Sequence, residues 1–202
     1  GGAAAAAIAL PAVVGCVVHA SAAVPEPGLV EHRAGLGLIV GEPGGGDSAR
    51  LQRLAVVLRG AGFEVTVSAD VKRDLWYKLW GNLTMNPVAA ITGAPVDRVL
   101  DDPLVRGFCS AVMQEAAAIG ARIGCAMDQS PEDRHAITRK LGSFKPSMLQ
   151  DVEAGRPIEL DAIVAVVREI AQRLQIATPN LDALLGLTRL FARERGLYPA
   201  AG

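Results

Sequence analysis

Residues 74–87 read DLWYKLWGNLTMNP, and this stretch marks the change from a mixed first third of the chain to a helical remainder. Lys78, Asn82 and Asn86 follow one another at intervals of four, so a helix places them along one face. Amides among large apolar neighbours are costly unless something hydrogen-bonds them. Pro87 removes a backbone hydrogen bond and predicts a bend or an end of the helix beside Asn86. The pattern fits either a site for a polar ligand or a set of buried structural amides.

Downstream of residue 70, apolar residues recur every three or four positions, which is typical of amphipathic helices. Two such runs are Leu104, Phe108, Val112 and Ile119, and then Leu160, Ile163, Val164, Val167, Ile170 and Leu174. Three helix starts are predicted from capping residues followed by proline, at Asp101 or Asp102 with Pro103, at Ser130 to Asp133, and at Thr178 with Pro179. The joints between helices are placed at Gly93, Gly124, Gly142 and Gly155. The sequence therefore predicts an all-α domain over residues 70–202.

Upstream of residue 69 the pattern is that of strands with one helix. Residues 13–18, 36–40 and 63–67 are apolar or alternating and predict three strands. Ser48 is expected to cap a helix that ends at Gly60 and Gly62, between the last two strands. A mixed α/β piece before an all-α domain is common in enzymes that bind a dinucleotide first and a substrate second.

Composition excludes several classes of protein. The 202 residues include 20 basic and 21 acidic side chains, for a net charge of -1, which argues against nucleic acid and against an anionic membrane surface as partners. The three cysteines and three histidines show no metal-ligand spacing, so no metal is expected. The same cysteine usage indicates a reducing compartment.

The first residues raise the question of a secretory signal. Residues 3–18 are uncharged and apolar, and Ala20-Ser21-Ala22 is similar to a signal-peptidase site. However, no Lys or Arg precedes the stretch, Pro11 interrupts it, and alanine is weakly hydrophobic. We therefore expect no signal or membrane segment, a cytoplasmic protein, and a frayed terminus at the alanine tract of residues 3–7.

A second polar segment lies near the middle of the helical region. Residues 145–151 read KPSMLQD and residues 155–161 read GRPIELD, which places Ser147 and Glu159 twelve residues apart. A turn at Gly155 could bring the hydroxyl and the carboxylate to one cleft. The alternative is helix capping, because both residues lie near predicted helix starts. Glu115 lies on an apolar helical stripe as a partnered buried acid or a supporting group, and we leave it out of the site.

The combined pattern resembles the ketopantoate reductase (2-dehydropantoate 2-reductase) family, in which a Lys-x-x-x-Asn-x-x-x-Asn-Pro helix and a Ser-Met-Leu-Gln-Asp segment followed by Glu-x-Asp form the substrate site. The family's positions fall on Lys78, Asn82, Asn86, Ser147 and Glu159. The resemblance implies an α/β remnant of a Rossmann-like nucleotide domain over residues 1–69. It implies an all-α helical-bundle domain over residues 70–202, similar to the C-terminal domain of 6-phosphogluconate dehydrogenase.

The resemblance also implies a reaction, the reduction of a 2-keto acid by NADPH in pantothenate biosynthesis. In this assignment Lys78 and Glu159 are the catalytic residues. Lys78 donates a hydrogen bond and then a proton to the carbonyl oxygen, while Glu159 holds a substrate hydroxyl and orients Lys78. Asn82, Asn86 and Ser147 are the substrate-binding residues. A homodimer is possible.

Two departures from the family pattern concern the substrate and the cofactor. Ten residues beyond Asn86, where the family often has a further asparagine, this chain has Val96, so the preferred keto acid is open. No Gly-x-Gly-x-x-Gly follows an opening strand, and Gly35-Leu36-Gly37 and Gly44-Gly45-Gly46 are interpreted as turns. The residues that bind NADPH are expected upstream of this chain, and low or no activity is expected from the chain alone.

Two alternative functions remain open at this point. One is a reductase of another 2-keto acid or a β-hydroxyacid-dehydrogenase-like enzyme, which also uses a Lys-x-x-x-Asn helix. The other is a non-catalytic helical module for dimerisation, in which the polar stripe is a buried network. NADPH binding by the purified chain separates the enzymatic from the non-catalytic interpretation.

Overall fold

The computed structural model describes Ile8 and residues 12–199, so the alanine tract of residues 3–7 lies outside the described residues. The chain divides into two compact units, Gly1–Lys78 and Leu79–Gly202. This boundary falls nine residues beyond the one placed between residues 69 and 70. The assignment of a nucleotide domain to residues 1–69 and a substrate domain to residues 70–202 stays a prediction.

The first unit contains a small mixed sheet and one helix before the long helix that leaves it. Its elements are β1 (Gly15–Glu26), β2 (Leu29–Gly41), α1 (Ala49–Gly60) and β3 (Glu64–Val67). The sheet order is β1-β2-β3, with β1 and β2 antiparallel and β2 and β3 parallel. The predicted strand-helix-strand unit is confirmed as β2-α1-β3. Ser48 is the N-cap of α1, and its side chain accepts the Leu51 N–H as predicted.

The first two strands are longer than predicted because they form one extended hairpin. The strand expected over residues 13–18 runs from Gly15 to Glu26, and the one expected over residues 36–40 is the end of Leu29–Gly41. Most side chains of the distal half are exposed, so no apolar alternation marks them in the sequence.

The turn predicted at Gly35-Leu36-Gly37 is wrong, because these residues lie inside β2. Gly35 has a φ of +68°, and the pairing with β1 shifts register between His19 and Ser21. A Cβ on Gly35 would lie 2.2 Å from the carbonyl oxygen of His19, so the glycine allows a bulge in the ladder. The turn predicted at residues 44–46 is confirmed.

Helix α2 (Val71–Thr92) starts in the first unit and continues into the second. Its first residue, Val71, packs against Gly15 and Gly41. A Cβ at Gly15 would lie 2.7 Å from a Val71 carbon atom, and one at Gly41 would lie 2.6 Å away, so neither position has room for a side chain. Pro87 does not end the helix, which runs on to Thr92. Burial of the residues that follow Pro87 offsets the hydrogen bond that the proline removes.

The second unit is helical throughout its described part, apart from the connections. After α2 come α3 (Val96–Asp101), α4 (Pro103–Arg122), α5 (Pro131–Arg139), α6 (Ser147–Glu153), a π-helical turn (Asp161–Ala165), α7 (Val166–Arg173) and α8 (Pro179–Arg193). The second predicted apolar run therefore forms one continuous helical stretch whose first turn is π-helical. Its fully buried members include Leu160, Val164 and Val167.

Helix starts agree with the capping residues predicted from the sequence. Asp102 accepts the N–H groups of Leu104 and Val105 at the start of α4. Ser130 and Asp133 form a reciprocal capping box on α5. One predicted core position is wrong: the side chain of Leu104 is 84% exposed, because it lies in the first turn of α4, before the helix enters the core.

Glu115 of α4 is a partnered acid rather than an isolated one. Its carboxylate accepts the backbone N–H groups of Asn180 and Leu181 at 3.0 and 2.9 Å, and the Asn180 side-chain amide at 2.7 Å. These donors lie in the first turn of α8, where helix N–H groups have no partner within the helix. Thr178 occupies the N-cap position of α8 but makes no side-chain cap bond. Glu115 therefore caps α8 from a distant part of the sequence.

Within residues 12–199, no helix combines the length and apolar character needed to cross a membrane. The same part of the chain contains no group of three or more His, Cys, Asp or Glu residues that could hold a metal ion. None of Cys16, Cys109 and Cys125 forms a disulfide bond.

Candidate active site

Lys78 lies in α2 at the end of the first unit, and its ammonium group is fixed by a backbone carbonyl. The Nζ atom donates a hydrogen bond of 2.6 Å to the carbonyl oxygen of Val18 in β1. Burial lowers the pKa of Lys78 from its ordinary value, and the nearby Cys16 thiol opposes part of that shift. An ammonium group with a lowered pKa gives up its proton more readily, which suits a general acid.

Asn82 and Asn86 follow on the same helix in the second unit, one and two turns after Lys78. Asn86 is buried, with 5% of its surface exposed, and Asn82 is partly buried. Neither side-chain amide hydrogen-bonds to another described residue. The amides are therefore not tied into a buried structural network of the described residues, and their donors and acceptors remain available.

Ser147 and Glu159 lie at exposed positions of the second unit. Ser147 is the first residue of α6, but the N-cap is Pro146 and no side-chain cap bond is made. Glu159 is exposed between two buried residues, Ile158 and Leu160, so its neighbours anchor the backbone while its carboxylate faces outward. The capping alternative is therefore not observed for either residue.

The other carboxylates of these two segments have partners. Asp151 pairs with Arg156 at 2.8 Å, and Asp161 accepts the hydroxyl of Tyr198 at 2.5 Å. Glu159 makes no side-chain hydrogen bond or ion pair with any residue that the structure describes. Of these acids, Glu159 is thus the one whose oxygens are open to a ligand.

The five predicted site residues are not joined to one another by direct bonds. Asn82 and Asn86 share one helix face, whereas Ser147 and Glu159 come from later segments of the second unit. In the part of the chain that is described, no hydrogen bond or ion pair links any two of the five. Their membership of one site stays a prediction.

The glycine-rich turn of residues 44–46 does not fit a dinucleotide phosphate, although it precedes α1. Glu42 lies at the same end of that helix, where it accepts hydrogen bonds from Ser48 and Arg50. These bonds, led by the one from Arg50, lower the pKa of Glu42 to about 2. A carboxylate of the chain itself therefore holds the Ser48 and Arg50 side chains at the start of α1.

Comparisons with known proteins identify the family of the chain. Residues 70–192 match the sequence profile described as "Ketopantoate reductase PanE/ApbA C terminal". The chain belongs to the ketopantoate reductase family. The resemblance to the ketopantoate reductase family that the sequence predicts is therefore confirmed.

Individual members of the ketopantoate reductase family match most of the chain. It is 39% identical to a 2-dehydropantoate 2-reductase of Mesorhizobium japonicum over 92% of its length. Among solved structures, a candidate ketopantoate reductase of Ralstonia solanacearum MolK2 matches 96% of the chain at 55% identity with a TM-score of 0.92. The 2-dehydropantoate 2-reductase of Methylococcus capsulatus matches 96% at 29% identity with a TM-score of 0.87.

The chain covers only part of each of these ketopantoate reductase relatives. It spans 57% of the Mesorhizobium protein, 59% of the Ralstonia chain and 67% of the Methylococcus chain.

Proposed function

We propose that the protein containing this chain reduces 2-dehydropantoate (ketopantoate) to pantoate with NADPH, as a step of pantothenate biosynthesis. The observation that carries the proposal is Lys78, a fixed ammonium of lowered pKa at the position to which the family resemblance assigns a catalytic lysine. The cofactor supplies the hydride when it is bound. The residues of this chain bind the keto acid and supply the proton.

Lys78 acts on the carbonyl oxygen of the keto acid. That oxygen gains negative charge as the carbonyl carbon is reduced, so an ammonium group beside it stabilises the transition state more than the ground state. An ammonium has three N–H donors, and the Val18 carbonyl takes one of them. The remaining donors serve the substrate, and a proton passes from Nζ to the product alkoxide.

The other four residues hold the substrate. Glu159 accepts a hydrogen bond from the substrate hydroxyl, because its carboxylate has no partner among the described residues. Asn82, Asn86 and Ser147 bond the remaining polar groups, and amides can serve either donors or acceptors. Fixing the keto acid by several bonds lowers the entropic cost of reaching the transition state.

The identity of the preferred keto acid depends on position 96. Val96, which stands at the position of a common family asparagine, is 1% exposed, and its N–H bonds the carbonyl oxygen of Phe144 at 2.9 Å. A buried valine supplies no hydrogen bond to a substrate. A 2-keto acid with a different polar tail is therefore the second candidate substrate.

The 202-residue chain is proposed to be inactive by itself. The glycine-rich turn of residues 44–46 lacks the Gly-x-Gly-x-x-Gly spacing, and the Ser48 and Arg50 side chains beside it are already bonded to Glu42. The strands and helix of the first unit are interpreted as a remnant of a Rossmann-like nucleotide domain. A cytoplasmic location is proposed with this function.

A homodimer is a further part of the proposal. Three leucines of the second unit, Leu104, Leu187 and Leu190, are each more than half exposed. Exposed apolar side chains favour an interface where they form one contiguous patch. Sedimentation of the wild-type chain and of Leu187→Glu, a change at an exposed position, measures the oligomeric state. A monomeric wild type contradicts the homodimer.

The experiment that tests the catalytic proposal measures NADPH oxidation with ketopantoate. The full-length product of the gene is compared with Lys78→Ala, with the matched control Lys72→Ala, and with the 202-residue chain. Lys72 lies on the same helix and is exposed, so its loss should leave turnover within about twofold. Lys78→Ala should lower kcat by about 100-fold or more. Unchanged turnover in Lys78→Ala contradicts the proposed acid.

A further inference from the structure

Gly81 is a buried glycine in the middle of α2, next to Asn82 in the sequence. Glycine inside a helix is destabilising relative to alanine, so this position needs a compensating reason. A Cβ at Gly81 would lie 2.8 Å from both Nε and Nη2 of Arg134, and 3.2 Å from its Cζ. The glycine therefore leaves room for the guanidinium group of Arg134 to pack against the α2 backbone.

Arg134 is held in the fold through its backbone and its side chain. It belongs to α5, which starts with the Ser130 and Asp133 capping box, and its N–H bonds the carbonyl oxygen of Ser130 at 3.2 Å. The next residue, His135, is 2% exposed and fixes the same turn of α5 in the core. Arg134 is partly buried and has an interaction partner among the described residues, so its side chain is engaged within the fold.

The residue before Gly81 is fixed from a second direction. Trp80 is 1% exposed, and its indole Nε1 donates a hydrogen bond of 2.7 Å to the carbonyl oxygen of Met113 in α4. Positions 80 and 81 of α2 are therefore held by two different helices, by α4 through Trp80 and by α5 through Arg134. Both contacts immediately precede Asn82.

The position of the Asn82 amide depends on the backbone of α2. Its side chain makes no hydrogen bond with any residue in the described part of the chain, so no side-chain partner fixes it. A displacement of about 1 Å in a group that positions a substrate can lower the rate by about 100-fold. The contacts that fix residues 80 and 81 therefore also fix the binding group at position 82.

We infer that Arg134 is a positioning residue of the keto-acid site: its guanidinium group holds α2 at Gly81 and so sets where Asn82 meets the substrate. This inference rests on the proposed function and adds to it a residue that does not touch the substrate. A guanidinium group is flat and rigid, so it can lie against a helix backbone where no side chain intervenes. Gly81 is the residue of α2 that provides this surface.

A purely structural Arg134, which only stabilises α5, predicts a different result. Its loss would lower activity by the same factor whether or not the Asn82 amide is present. A positioning residue acts through Asn82, so its effect disappears when the amide is removed. A double-mutant cycle therefore separates the two roles.

The cycle uses the full-length gene product in four forms: wild type, Arg134→Ala, Asn82→Ala and the double variant. In the wild-type background, Arg134→Ala should lower kcat/KM for ketopantoate by about 10- to 100-fold. In the Asn82→Ala background, the same change should lower it by less than about threefold. If Arg134→Ala does not fold, Arg134→Lys takes its place with the same expected pattern, because it keeps the cation but loses the flat group.

Arg139→Ala is the matched control for loosening of α5. Arg139 lies on the same helix, but it bonds the Asp101 carboxylate at 2.6 Å and the Leu100 carbonyl oxygen at 2.5 Å, both in α3. Its loss weakens the attachment of α5 to α3 and leaves the contact with α2 in place. The value of kcat/KM in Arg139→Ala should therefore stay within about threefold of wild type.

Gly81→Ala tests the same contact from the side of α2. A Cβ at this position displaces the guanidinium group, so the single variant should reproduce the loss in kcat/KM of Arg134→Ala. Added to Arg134→Ala, the new Cβ meets no guanidinium group and should cause no further loss. The urea midpoint of that double variant should exceed that of Arg134→Ala, because alanine favours a helix more than glycine does.

The outcomes distinguish this inference from the proposed function. Equal factors for Arg134→Ala in the two backgrounds, or wild-type activity of Gly81→Ala, overturn the positioning role while the reductase assignment survives. A loss in Arg139→Ala as large as that in Arg134→Ala does the same. Wild-type protein that does not reduce ketopantoate overturns the proposed function and this inference with it.

Discussion

The ammonium nitrogen of Lys78 lies 2.6 Å from the carbonyl oxygen of Val18, so a side chain of α2 is held by the backbone of β1. A carbonyl oxygen binds the protonated amine but cannot take its proton at neutral pH. The contact therefore positions Lys78 without neutralising it. Burial is the larger influence on its pKa, which it lowers.

The first prediction concerns the pH dependence of keto-acid reduction. The reaction needs protonated Lys78, so kcat/KM should be level below the pKa of this residue and fall above it. Because that pKa lies below the ordinary 10.5, the midpoint of the alkaline fall should lie below pH 10.5. Initial rates between about pH 6 and 11 measure it. A midpoint at or above pH 10.5 contradicts the assignment of Lys78 as the acid.

The second prediction concerns the cap that Glu115 provides to α8. Glu115→Ala leaves two backbone N–H groups of α8 without their acceptor. The free energy of unfolding should fall by about 1–3 kcal/mol, measured by urea denaturation. Gln114→Ala, at the exposed neighbouring position of α4, is the matched control and should change it by less than about 0.5 kcal/mol. Equal effects of the two substitutions would show that the cap contributes nothing to stability.

Helix starts could be predicted from the sequence where the cap is local. Asp102 and Ser130 bond N–H groups only two or three residues further along the chain, so a short motif contains the whole interaction. Glu115 bonds residues 65 and 66 positions away. That contact depends on how α4 packs against α8, and no short motif reveals it.

Of the candidate site, the helix that carries three of its residues could be predicted from the sequence. The spacing of Lys78, Asn82 and Asn86 defines a helix face, and the helix forms as predicted. The close approach of the Arg134 guanidinium to the backbone of Gly81 could not be predicted. The sequence shows only a glycine in a helical stretch and an arginine 53 residues later. The lack of room for a side chain at position 81 is caused by the approach of α5. The bulge at Gly35 was missed for the same reason, since its cause is the His19 carbonyl on the opposite strand.

The third prediction concerns that bulge. Gly35→Ala places a Cβ 2.2 Å from the His19 carbonyl oxygen at a φ of +68°, so the strand must shift. We expect the free energy of unfolding to fall by about 2 kcal/mol or more, measured by urea denaturation. Gly28→Ala is the matched control, because Gly28 also has a positive φ but has open space at its Cβ. The conformational cost is common to both variants, so the difference between them reports the clash, and equal losses would refute it.

The last prediction concerns His135, a 2% exposed histidine whose Nε2 lies 3.0 Å from the Ser110 hydroxyl. Burial is the main cause of its lowered pKa; Arg106 and Arg139 lower it further, while Glu132 raises it. The unfolded chain therefore binds a proton at higher pH than the folded one, so stability should decline as the pH falls from 6.5 toward the folded pKa.

His135→Gln removes this titration, and its stability should fall less than that of the wild type between about pH 7.5 and 5, measured as urea midpoints. His32→Gln, at an exposed position of the hairpin, is the control and should keep the wild-type pH dependence. Carboxylates titrate near the lower end of this range in all three proteins, so the difference between variants isolates the histidine. Parallel plots of urea midpoint against pH for wild type and His135→Gln would mean that His135 does not couple folding to pH. Burial of α5 against α4 would then be equally favourable with the ring charged or neutral.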